Sequence, residues 1–249
     1  MRQHTAVLLL LARSTLYPVL GLLALLGLVE WGLFSRALDN SMFMNQLLGN
    51  GPTVLEPVIE ASGLGWALAV GFLALSALLC ASGCVRGTRS DYTLRRLSLP
   101  EWTIFLWQGA YNSACLLLLW ASQATVALGL SAWFTARTGA DGMAVFLAFY
   151  RDPIFHSLLP LEDGWVWARN LVICLELGII DAFVPYQQRR GRPVISIVAW
   201  LGILWTIGLF PDSMGNEGLL WHVFMLAIIV FFACRTVFFP KREENDETD

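Results

Sequence analysis

The chain has 249 residues, 57% hydrophobic and 14% charged, with a mean hydropathy of +0.62. A water-soluble domain of this length needs more charge to cover its surface, so the composition excludes an ordinary soluble protein. The formal net charge of −3 is small, and no nucleic-acid partner is expected.

In chain order, the apolar stretch Thr5–Ala12 follows Arg2 in the manner of a secretory signal, but Arg13 interrupts it. It reads as an interfacial helix with Arg13 at the headgroups, and no cleavage is expected. Six apolar runs then follow: Leu16–Phe34, Leu64–Val85, Trp102–Phe134, Val166–Tyr186, Pro193–Phe210 and Gly218–Phe239. Each has about 18 residues or more, enough at 1.5 Å per residue to cross a hydrocarbon layer of roughly 30 Å. A spanning backbone must satisfy its own hydrogen bonds, which makes such runs helices. The expected fold is all-α: a polytopic integral membrane protein with six transmembrane helices and both termini cytoplasmic. Residues 1–239 form one transmembrane domain and 240–249 a disordered cytoplasmic tail, basic and then acidic without an apolar face.

The segments between the runs set the orientation. With both ends inside, the inner side collects Arg2, Arg13, Arg86, Arg89, Arg95, Arg96, Arg189, Arg190, Arg192, Arg235, Lys241 and Arg242. The outer side keeps Arg36, Arg137, Arg151 and Arg169, a positive-inside bias that the inverted arrangement reverses. Acids gather outside instead: Asp39, Glu56, Glu60, Asp141, Asp152, Glu162, Asp163, Asp212 and Glu217. Trp31, Trp66, Trp102, Trp133, Trp165, Trp167 and Trp221 fall near span ends, where an amphipathic ring suits the headgroup level.

Two outer segments are long. Ser35–Ser62 contains Gly49–Asn50–Gly51–Pro52 and reads as a loop with short helical pieces. Thr135–Trp165 contains Met143–Tyr150, too short to cross, which points to a surface-lying or re-entrant helix broken off by Pro153 and Pro160. An external cap or gate and a simple filling between helices both fit it. The third run starts at Ser98–Leu99–Pro100–Glu101, a capping box with Ser98 as N-cap and proline in the first turn. At 33 residues, about 50 Å, it must tilt strongly or leave the bilayer.

The chemistry-bearing groups are few. Cys80, Cys84, Cys115, Cys174 and Cys234 all lie in spans, so no disulfide framework is expected, and no metal or cofactor site is read in this chain. A P-loop requires a G-x-x-x-x-G-K-[ST] segment, and the only lysine is Lys241, between Pro240 and Arg242. Intramembrane proteolysis finds little support. Ser82 in Cys80–Ala81–Ser82–Gly83 lies near the inner end of its helix and His222 near the outer end of another. The remaining histidines, His4 and His156, form no H-E-x-x-H. The chain is therefore expected not to be an enzyme.

Polar groups at membrane depth are costly and mark candidate translocation-pathway positions: Gln108, Asn112, Gln123, Glu176 and Asp181. Interhelical hydrogen bonding is the plainer explanation for the three amides. Glu176, isolated near mid-depth, must take a proton, find a partner or face water. Glu30 and His222 read as solvated groups near the outer interface.

The connection after the second run is basic and partly amphipathic. It holds Gly87–Thr88, Ser90, Asp91, Tyr92, then Thr93–Leu94–Arg95–Arg96–Leu97 and Pro100. Arginines alone fit a positive-inside anchor. The "T…LRRL-(P)" turn before an apolar third span resembles the permease subunits of type-2 ABC exporters. The resemblance implies a coupling helix that docks on a separate ATPase, with Thr88, Ser90, Asp91, Tyr92, Leu94, Arg95, Arg96 and Leu97 in the contact. It also implies ATP and magnesium in that partner, a second permease subunit or a homodimer, a bacterial cell membrane, and export of a peptide or lipophilic small molecule. Many members carry a re-entrant hairpin between spans five and six. Pro211–Glu217 is too short for one, and the long outer segment lies between spans three and four instead. The alternative is a non-transporting membrane sensor or assembly protein.

Overall fold

A computed structural model describes residues 2–49, 52–84, 100–161, 164–189, 224, 227–228 and 230–237. Among these residues the structure is helical, without strands. The elements are α1 (Arg2–Leu48), α2 (Leu55–Ser62), α3 (Leu64–Cys84), α4 (Glu101–Thr138), α5 (Gly142–Arg151), α6 (Pro153–Leu158) and α7 (Gly164–Arg189). Residues 230–237 are also helical. Three stretches are long and apolar enough to cross a membrane: Val7–Leu48, Leu64–Ser82 and Glu101–Thr138. The fifth apolar run, Pro193–Phe210, lies outside the described residues, as does half of the sixth.

Several expected boundaries move. The amino-terminal stretch is not a helix of its own: α1 is continuous over 47 residues with Pro18 inside it. Val7 and Leu11 pack on Ile104 at the start of α4, so burial favours continuing the helix. Ser35–Leu48, expected as loop, completes α1, because no helix breaker intervenes before Gly49, which sits at φ 64°. Pro100 is the N-cap of α4 rather than a first-turn residue, in extended geometry and with no side-chain cap bond. Ser98 lies outside the described residues.

Pairwise contacts give each helix a direction. Thr15 meets Tyr111, Gly27 meets Val126 and Asp39 meets Arg137, so α1 and α4 run parallel. Gly71 lies against Leu26, while Leu64 and Leu68 lie beside Glu30; α3 therefore runs against α1. Phe105 meets Tyr186, Gly109 meets Ile179 and Ala182, Ser113 meets Leu175, and Trp120 meets Trp167, so α7 runs against α4. Their interface is the most extensive among the described residues. The start of α1, the end of α3, the start of α4 and the end of α7 thus share one end of the bundle, the near end.

Backbone approach is closest between α4 and α7. A Cβ on Gly178 would overlap the Ser113 hydroxyl and reach its Cα at 2.7 Å, so only glycine fits. Small residues at such crossings let backbones meet where apolar surroundings give side chains no hydrophobic drive to associate. The core runs through all four long helices, with Phe34, Leu75, Leu116, Leu119, Leu177 and Ile180 fully buried.

Candidate functional site

Buried polar groups gather at two levels of the bundle. The far-end level centres on Glu30 of α1, which is 2% exposed. The Gln123 amide nitrogen donates to both carboxyl oxygens, at 2.6 and 2.9 Å, in the amide orientation that this partner requires. Glu30 is thus not the solvated group expected from its position in the sequence; α3 and α6 cover it. A cavity of about 10 Å³ adjoins the pair, lined by Leu64, Leu68, Val126, Ile154, Phe155 and Leu158 among others. That is the scale of one water.

The cover is built from the second outer segment. Asp152 caps α6, accepting from the Ile154 and Phe155 amides at 3.0 Å, and Pro153 takes the first-turn position where its missing N–H costs nothing. At the other end, carbonyls that a short helix leaves unpaired are met by side chains from α4 and α7. Trp120 Nε1 donates to the Leu158 carbonyl, Trp167 Nε1 to Pro160 and Asn170 Nδ2 to Ser157. The segment is therefore tied to two long helices and seats Ile154 and Phe155 over the Glu30–Gln123 pair. Sequence reasoning missed the roles of Trp120, Trp167 and Asn170. The one available signal was an asparagine beside an apolar run, a group that must find an acceptor.

The near-end level lies between α3, α4 and α7. Asp181 is 0% exposed, as is Ser76. Pro185 sits four residues after Asp181 inside α7 and has no N–H to give, so the Asp181 carbonyl loses its helical donor. The Cys80 thiol takes that place, donating to the Asp181 carbonyl at 3.6 Å and lying 3.7 Å from the carboxyl Oδ1. The Ser76 hydroxyl lies against the same carboxyl without meeting hydrogen-bond geometry, and Asp181 Oδ2 has no hydrogen-bond partner. Cys80, read in the sequence only as a cysteine within a span, is a hydrogen-bond donor here.

Of the expected pathway residues, Gln108, Asn112, Gln123 and Asp181 are buried and Glu176 is half-buried. The structure brings Gln123 to Glu30 and places Asn112 and Glu176 at one depth, by the register of Ser113 on Leu175. Asn112 Nδ2 and Glu176 Oε2 are both buried without hydrogen-bond partners. The coupling residues Thr88, Ser90, Asp91, Tyr92, Leu94, Arg95, Arg96 and Leu97 lie outside the described residues, as does His222. Among the described residues, no group of three or more His, Cys, Asp or Glu side chains is placed to hold a metal ion.

No family model, curated protein or solved structure matches this chain.

Proposed function

We propose that the chain is the membrane-spanning permease subunit of an ABC transporter, exporting a peptide or lipophilic small molecule and energised by a separate ATPase. In this reading it spans the bacterial cell membrane six times with both termini cytoplasmic, and a second permease subunit or a second copy completes the pathway. ATP and magnesium belong to the partner. The near end of the bundle is cytoplasmic, as the arginine distribution requires.

The observation that carries the reading is the course of α4. It leaves the basic connection at the near end and runs unbroken for 38 residues, about 57 Å, to the far-end helices. Along the way it presents Gln108, Asn112 and Gln123 to the interior. A push on residues 88–97 travels along a rigid rod to the cover formed by α5 and α6. Sparse polar groups in an otherwise apolar interior suit a lipophilic cargo, and fold alone does not name it.

A second reading, a membrane sensor or assembly protein without transport, draws support from the tight closure of α4 on α7 at Gly178. One experiment separates them. The double variant Arg95→Glu/Arg96→Glu is expected to insert normally and to lose its ATPase on affinity purification in mild detergent. Full co-purification of the ATPase with the variant rejects the docking assignment, and the absence of any ATPase with the wild type favours the second reading.

A further inference from the structure

We propose that Asp181 and Ser76 bind a single alkali-metal cation between α3 and α7. The proposal stands apart from the permease reading, since it rests on the bundle interior alone.

Proline supplies the first element. Because Pro185 cannot donate to the Asp181 carbonyl, one backbone oxygen in mid-helix is released from the α7 ladder. That oxygen and the carboxyl Oδ1 both point at the Cys80 thiol, at 3.6 and 3.7 Å, so they converge. The second carboxyl oxygen and the Ser76 hydroxyl supply two more donors, both buried and both without a hydrogen-bond partner. The Asp181 carbonyl and carboxyl, with the Ser76 hydroxyl beside that carboxyl, thus offer four oxygens on two fully buried residues.

The chemistry of this set selects its ligand. Carboxylate, carbonyl and hydroxyl oxygens are hard donors, which suit alkali and alkaline-earth ions and not the softer transition metals. The thiol is a neighbour that donates to the same oxygens, not a ligand. Among the described residues no Lys, Arg or His pairs with Asp181, and one buried carboxylate balances one positive charge. A divalent ion leaves a net charge in the interior, which is costly; a monovalent ion leaves none. Backbone carbonyls freed from the helical ladder are known to coordinate sodium in membrane transporters.

The test is thermal unfolding of the purified full chain in detergent, in choline, sodium and potassium chloride at one ionic strength. The wild type is expected to melt higher in sodium or potassium than in choline, with a saturable dependence on the ion. Asp181→Asn is expected to abolish that difference, and Ser76→Ala to raise the half-saturating concentration about tenfold. Equal melting of the wild type in all three salts overturns the proposal. So does a wild-type response to pH alone, which assigns the site to a proton. Should Asp181→Asn fail to fold, Ser76→Ala decides: an unchanged ion dependence in that variant also overturns it.

Discussion

At the scale of single residues, environment rather than position in the sequence sets what an acid does. Glu30 and Asp39 lie on one helix, yet Glu30 is enclosed with Gln123 while Asp39 stands exposed 4.0 Å from Arg137. An exposed pair of that kind contributes little to stability. Asp152, outside the spanning helices, is more informative. Burial pushes its carboxyl above the ordinary value of 3.8; the Phe155 and Ile154 amides pull it down, and Glu56 and Glu60 push it up again. The folded chain therefore holds this proton more tightly than the unfolded chain. Its contribution to stability falls as pH rises from 3.8 through the raised value. Asp152→Asn keeps an acceptor for the α6 amides and cannot titrate. Its melting temperature, followed against pH, is expected to lack the decline that the wild type shows over that window. Parallel curves for the two proteins contradict the assignment.

At the scale of elements, the long helices do more than cross a bilayer. About 70 Å of α1 and 57 Å of α4 exceed a hydrocarbon layer of roughly 30 Å. Beyond Glu30 and Gln123 the two continue side by side to the Asp39–Arg137 contact, past the start of α3 at Leu64. The α4–α7 crossing yields a sharp contrast between two glycines. Gly178→Ala forces a Cβ onto the Ser113 backbone and is expected to cost about 1–3 kcal/mol or more, as overpacking does. Gly109→Ala meets Ile179 Cα at 3.7 Å, an ordinary contact, and is expected to be neutral or to stabilise by up to about 1 kcal/mol, the helix preference of alanine over glycine. Thermal unfolding followed by tryptophan fluorescence checks both, and equal losses at the two sites contradict the close crossing.

At the scale of the whole molecule, alternation of the four long helices brings the start of α1, the end of α3 and the start of α4 to one end and the α5–α6 cover to the other. Together with the arginine distribution, this predicts opposite accessibility for two engineered cysteines in a chain stripped of its native ones. A cysteine at Asn45 is expected to react with an impermeant reagent on intact cells, and one at Ser90 only after lysis. Labelling of both from outside contradicts the arrangement.

Helix content and the need for an apolar environment were written in composition and run length, since burial in lipid demands continuous apolar segments whatever the packing. The break at Gly49 and the arrest of α5 before Pro153 were likewise local, because backbone geometry at glycine and proline is set by the residue itself. Which polar groups meet was not local. Glu30 finds Gln123 across 93 positions of sequence and Asp181 finds Cys80 across 101, and only the register of packed helices decides such pairs. The same holds for Trp120, Trp167 and Asn170, whose hydrogen-bond partners lie on the short segment folded over them. Periodicity names the face on which a side chain stands; the neighbour opposite that face exists only once the helices have packed.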